Sequence, residues 1–108
     1  MKTATSPAHM RVHASEASTL LKALANEQRL LILCHLAEGE LAVGELLERL
    51  ALGQSALSQH LAKLREAALV QTRREAQTMY YRLADGPVQA LMATLHDIYC
   101  AKPARRRR

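Results

Sequence analysis

Gln54-Ser55-Ala56-Leu57-Ser58-Gln59-His60-Leu61-Ala62-Lys63-Leu64-Arg65-Glu66-Ala67 decides the fold. Leu57, Leu61 and Leu64 recur at i, i+4 and i+7, the apolar stripe of a helix. The other face shows Ser55, Ser58, Gln59, His60 and Lys63, where an ordinary surface helix would show a Glu/Lys mixture. Hydroxyl and amide groups hydrogen-bond base edges, and Lys neutralises phosphate. Just upstream, Val43, Leu46, Leu47 and Leu50 mark a short helix over Val43 to Leu50, followed by the tight turn Ala51-Leu52-Gly53. A short helix, a glycine turn and a polar-faced second helix make a helix-turn-helix. Downstream the period drops from 3.6 to 2. Val70 to Glu75 and Thr78 to Leu83 alternate and are rich in β-branched residues and tyrosine, a hairpin around Glu75-Ala76-Gln77 that lacks the usual Gly or Asn. A hairpin directly after such a helix is a wing.

Further out, Ser15 is the expected N-cap of a first helix running to about Ala25, with Ala17, Leu20, Leu21 and Leu24 at helical spacing. Asn26 caps a second helix, Glu27 to Glu38, whose Leu30, Leu31, Leu33, Cys34 and Leu36 make it apolar over much of its surface and therefore central. Gly39 ends it. A last helix begins at Gly86-Pro87 and carries the stripe Val88, Leu91, Met92, Leu95, Ile98 and Tyr99. The apolar faces of the first and last helices exceed what one small core absorbs, and a twofold homodimer would bury both. The expected class is mainly α (α+β), a winged helix-turn-helix with a two-stranded β-wing and a helical homodimer interface. The expected organisation is a disordered arm over 1–14, one domain over 15–101 and a basic tail over 102–108.

With 108 residues the chain supports one domain. It has no Trp, no Phe and three Tyr, so the core is aliphatic. Four of the fifteen basic residues are Arg105 to Arg108, and the remaining 11 nearly balance ten acidic residues. The basic character is local. Residues 54–82 hold Lys63, Arg65, Arg73, Arg74 and Arg82 against Glu66 and Glu75, whereas residues 27–53 hold five Glu against Arg29 and Arg49. One segment is built to face an anion and its neighbour is not. The Arg tail reads equally well as an electrostatic arm on DNA or as a solubilising end. The longest apolar run is Leu30 to Cys34, far short of the roughly 20 residues of a membrane span, so the protein is expected in the cytoplasm with no membrane partner. No nucleophile elbow, phosphate loop or paired carboxylates point to an enzyme, and nothing calls for a cofactor.

The ordered motifs Leu24-Ala25-Asn26-Glu27-Gln28-Arg29-Leu30, Gln54 to Ala67 and Tyr80-Tyr81-Arg82-Leu83 resemble the ArsR/SmtB family of bacterial winged-helix repressors, from about Leu20 to Ala101. The resemblance implies double-stranded operator DNA as partner. The assigned DNA contacts are Gln54, Ser55, Ser58, Gln59, His60 and Lys63 on the reading helix, and Arg73, Arg74 and Gln77 on the wing. Two familiar metal sites of the family are missing. Glu40-Leu41-Ala42-Val43-Gly44 stands where a Cys-x-Cys pattern would, and Asp85-Gly86-Pro87 lacks the histidine of an Asp-x-His start. What remains is Cys34 and Cys100, the only two cysteines. Their helices resemble the dithiol branch, the sulfide- and persulfide-responsive repressors of the BigR and SqrR type. That resemblance implies reactive sulfur species as inducer and a disulfide or polysulfide crosslink as switch.

Each feature has a plainer reading beside it. Free cysteines behave as small hydrophobes and are often simply buried. A charged hairpin can merely blunt a sheet edge. His96, one turn before Cys100, is either a surface residue or a modulator of the thiol. Two competing functions stay open at this point. One is a metal-responsive repressor using Cys34, His96 and Cys100. The other is a protein-interaction module on the same fold.

Overall fold

The structure, a computed structural model, describes residues 6–100. In chain order it contains α1 (Pro7–Leu24), α2 (Glu27–Ala37), β1 (Leu41–Ala42), α3 (Val43–Arg49), α4 (Gln54–Glu66), β2 (Val70–Glu75), β3 (Thr78–Leu83) and α5 (Pro87–Cys100). The strands form one antiparallel sheet in the order β1-β3-β2.

The first helix starts nine residues earlier than expected, capped at Ser6 instead of Ser15. Ser6 is extended and Pro7 occupies the first turn, where its fixed φ suits a helix and its missing N–H is not needed. Residues 7–14, expected as part of a disordered arm, are therefore helical. Their side chains are all exposed, which is why no apolar period announced them. Residues 1–5 of that arm and the tail 102–108 lie outside the described residues.

Asn26 caps α2 as its sequence position suggested, its side chain accepting from the Arg29 N–H at 3.0 Å. Arg29 turns back on α1, donating through Nε to the Ala23 carbonyl at 2.7 Å and through Nη2 to that of Lys22 at 3.4 Å. Two carbonyls at the end of α1 are thus satisfied by one guanidinium. Within α2, Ile32 and Leu33 are fully buried and Leu36 nearly so. Glu45 then reaches back from the first turn of α3 to the Ala42 N–H at 2.8 Å. Leu57, Leu61 and Leu64 bury the inner face of α4.

At its end α4 closes with the Leu69 N–H on the Leu64 carbonyl at 2.9 Å and that of Ala68 on the Arg65 carbonyl at 3.0 Å. Ala68 holds φ 60°, the left-handed conformation usually given to glycine there.

The hairpin has the expected strands, paired from Val70↔Leu83 to Glu75↔Thr78. Ala76 supplies the positive φ, 56°, that its turn requires without glycine. The expected two-stranded wing has a third strand. Leu41 pairs with Tyr81 and Ala42 with Tyr80. Two residues are too few to show an alternation, and the partner that makes them a strand lies about forty positions away in sequence.

On α5, Val88 and Met92 join the core, while Ile98 (55 % exposed) and Tyr99 (73 %) continue the apolar stripe into solvent. Met10 and Leu21 do the same on α1, each more than half exposed.

Leu57 is fully buried where α4 meets the core. The Leu57→Ala variant should lose about 2–5 kcal/mol of stability in a urea titration, because the lost packing leaves a cavity under the reading helix.

Candidate DNA-reading surface and dithiol cleft

Burial of the leucine stripe turns Gln54, Ser55, Ser58, Gln59 and Lys63 outward on α4, and all five are exposed. Lys63 and Arg65 sit in the last turn, where cations complement the helix dipole. His60 is placed differently. It is half-buried at the seam between α4 and α2, with its Nδ1 3.4 Å from Nη1 of Arg29. Burial, and then the charges of Arg29 and Lys63, hold its pKa below the ordinary histidine range. It is therefore neutral at neutral pH and accepts from Arg29 rather than adding a charge to the surface.

Arg73, Arg74 and Gln77 are exposed on the wing, but alternation separates the two arginines. Arg73 lies opposite Tyr80 and Arg74 opposite Met79, so they project from opposite faces of the sheet. Arg73 is fully engaged within the protein. Its Nε and Nη2 donate to Glu40 Oε2 and Oε1 at 3.1 and 2.7 Å, and its Nη1 donates to Glu75 Oε1 at 2.8 Å. Its guanidinium lies 4.4 Å from the Tyr80 ring centroid. The bond to Arg73 holds the Glu40 carboxyl below the usual carboxylate range. Arg74 and Gln77 make no side-chain hydrogen bond or ion pair with the described residues.

The two thiols come together in one chain. Cys34 on α2 and Cys100 at the end of α5 are both free and exposed, and both line a cleft of about 1020 Å³ between those helices. Leu30, Met92 and Leu95 give it an apolar wall, and Glu38, Glu40, Arg82 and Asp97 line its polar side. Partial burial pushes the Cys34 thiol up, and the neighbouring Cys100 and Glu38 push it the same way. Cys34 is thus a protonated thiol at neutral pH, and a mildly apolar setting with acidic neighbours keeps it so. His96 lines the same cleft, yet no three His, Cys, Asp or Glu side chains among the described residues converge to hold a metal ion.

A leucine-seated, polar-faced α4 followed by the β2–β3 hairpin, with β1 added to its sheet, defines a winged helix-turn-helix DNA-binding protein. Residues 26–72 match the model of the arsR family of bacterial regulatory proteins. The transcriptional activator HlyU of Vibrio cholerae is 56 % identical over 91 residues, 84 % of this chain and 84 % of that protein. The biofilm growth-associated repressor of Agrobacterium fabrum is 48 % identical over 92 residues, 85 % of this chain and 79 % of that protein. The structure of reduced HlyU from V. cholerae superimposes with a TM-score of 0.81 at 55 % identity, covering 85 % and 97 % of the two chains. The solution structure of the homodimeric winged helix-turn-helix domain Mb0332 from Mycobacterium bovis gives 0.75 at 33 % identity, covering 88 % of each. The chain belongs to the arsR family and is a transcriptional regulator, not an enzyme.

The motifs containing Glu40 and Tyr80 did not announce their contacts with Arg73, nor did the sequence announce the reach of Arg29 to His60. Arg73 and Glu40 are 33 positions apart, and only the sheet order places them side by side.

Alkylation of Cys34, followed by mass spectrometry over a pH series, should show a midpoint above the ordinary thiol value of about 8.5. In Cys100→Ser the midpoint should fall, because one of the causes is gone, but stay elevated because burial persists. A midpoint below the ordinary value would contradict the environment described.

Proposed function

We propose that the protein is a homodimeric repressor that binds operator DNA in the cytoplasm and is released when reactive sulfur species crosslink Cys34 to Cys100. The observation that carries this reading is that the only two cysteines, on α2 and α5, line one cleft of one chain. Gln54, Ser55, Ser58 and Gln59 address bases and nearby phosphates, Lys63 a phosphate, and Arg74 and Gln77 the backbone beside the wing. Arg73 is a further wing cation whose availability depends on Glu40. His60 acts from behind, where its contact with Arg29 sets the angle of α4.

The exposed apolar residues of α1 and α5 supply the dimer face, and the Mb0332 relative is described as homodimeric. A dimer would present its two α4 helices to successive major grooves, about 34 Å apart. The repressor reading follows the Agrobacterium relative, whereas HlyU is named an activator. One DNA-binding switch serves either sign, depending on where its site lies relative to the promoter.

The switch needs no redox cofactor. A low-molecular-weight persulfide passes its sulfane sulfur to one cysteine thiol, giving a protein persulfide and a free thiol. The second cysteine, as thiolate, attacks the cysteine sulfur of that persulfide. An S–S bond forms between Cys34 and Cys100, and hydrosulfide leaves with the electron pair of the broken bond. The sulfane sulfur is the oxidant and ends as sulfide. A direct disulfide needs Cα atoms within about 7 Å, and additional bridging sulfur relaxes that requirement. Either bridge ties α2, which packs on α4, to α5, which builds the dimer. A coupling of about 1–3 kcal/mol is enough for derepression.

The reduced protein should bind a labelled duplex from upstream of its own gene and lose it after polysulfide treatment, with an intact-mass change confined to Cys34 and Cys100. The double variant Cys34→Ser/Cys100→Ser should keep binding after the same treatment. If that variant is still released, the dithiol switch is wrong. If the wild type stays bound although both thiols are fully modified, the two cysteines are not the switch. Ile98→Glu, which places a charge on the exposed apolar stripe, should shift the protein from dimer to monomer in light scattering and weaken DNA binding.

A further inference from the structure

On the outer face of the sheet an internal contact holds Arg73, one of the side chains assigned to DNA on the wing. β1, β3 and β2 lie side by side, with Ala42, Tyr80 and Arg73 in register across them. Arg73 starts on one edge, passes over the Tyr80 ring, and meets the Glu40 carboxylate, which precedes β1 at the other edge. The contact is a two-pronged guanidinium–carboxylate fork, with a third N–H on Glu75. This is the geometry in which arginine also holds a phosphate. The fork is nonetheless open to water, since the Arg73 side chain is 48 % exposed and that of Glu40 31 %. Glu40 belongs to two places at once, because the segment Glu38-Gly39-Glu40 also lines the cleft that holds Cys34 and Cys100.

We propose that Glu40 is a positioning residue that withholds Arg73 from DNA, an internal carboxylate that competes with a backbone phosphate for the same guanidinium. This inference rests on the proposed DNA-binding reading of the wing. The bond to Arg73 favours the charged carboxylate, so Glu40 meets the guanidinium as an anion at neutral pH. Its position on the lip of the dithiol cleft makes the grip sensitive to movement of the turn after α2. A crosslink that displaces that turn changes which anion Arg73 holds.

The test measures binding of a labelled mixed-sequence DNA duplex at several salt concentrations by wild type, Glu40→Gln, Glu40→Asp, Arg73→Gln and the double variant Glu40→Gln/Arg73→Gln, each checked by thermal melt. Glu40→Gln should bind severalfold more tightly, and its plot of log affinity against log salt should steepen by about one, the signature of one added phosphate contact. Glu40→Asp, which keeps the charge, should stay near wild type. The gain should vanish in the double variant, and Arg73→Gln alone should cost less than the same change made beside Glu40→Gln. An unchanged slope in Glu40→Gln overturns the proposal. So does a gain that survives without Arg73, which would be a general effect of removing a negative charge. Weaker binding by Glu40→Gln also overturns it, since the pair would then organise the wing rather than restrain it. A wild type that binds no duplex overturns this proposal together with the DNA-binding reading, whereas wild-type binding with no Glu40 effect overturns this proposal alone.

Discussion

Burial of α2 on several sides is the constraint on which the rest of the structure depends. Ile32 and Leu33 are sealed, and the helix packs against α1, α4, α5 and β3. A core without Trp or Phe is filled by interlocking aliphatic side chains and the buried Tyr81, so the positions of the surrounding elements follow from how they fit this one helix. The reading face of α4 points outward because Leu57, Leu61 and Leu64 point inward. Cys34 and Cys100 line one cleft because α5 lies against the same helix. A change felt by α2 therefore has a direct packing route to α4, and no longer chain of contacts is needed.

Arg29 strengthens that route with polar contacts. One side chain closes the end of α1 and touches His60 on α4, so a helix carrying exposed apolar surface is linked to the helix that carries the polar reading face. Burial and the adjacent cation keep His60 neutral, which lets it accept from the guanidinium. On the wing Arg73 is held by carboxylates on two sides. Exposed ion pairs contribute little stability, so this fork bears on where a charge sits more than on how firmly the domain folds.

The dithiol cleft follows a similar logic. Cys34 is not an activated thiolate, since its surroundings disfavour the charge. A thiol kept protonated is a weaker nucleophile, so these surroundings slow its oxidation.

Local pattern alone determined much of this protein. The 3.6-residue spacing of leucines placed α2 to α5, the alternation of Val70 to Leu83 placed the hairpin, and the Asn26 cap fixed where α2 begins. The polar composition of one helix face, a property of fourteen consecutive residues, marked the reading surface. Tertiary structure decided what depends on distant partners. Residues 7–14 face no core, so their helix leaves no apolar period to read. Leu41–Ala42 is a strand only because Tyr80 and Tyr81 lie beside it. His60 shares its helix with exposed neighbours yet turns to Arg29, and Arg73 looks like a free wing cation until the sheet order brings Glu40 alongside. The physical reason is the same in each case. Periodicity reports which side of an element is apolar, whereas hydrogen bonds and ion pairs between residues far apart in the chain exist only once packing has brought the elements together.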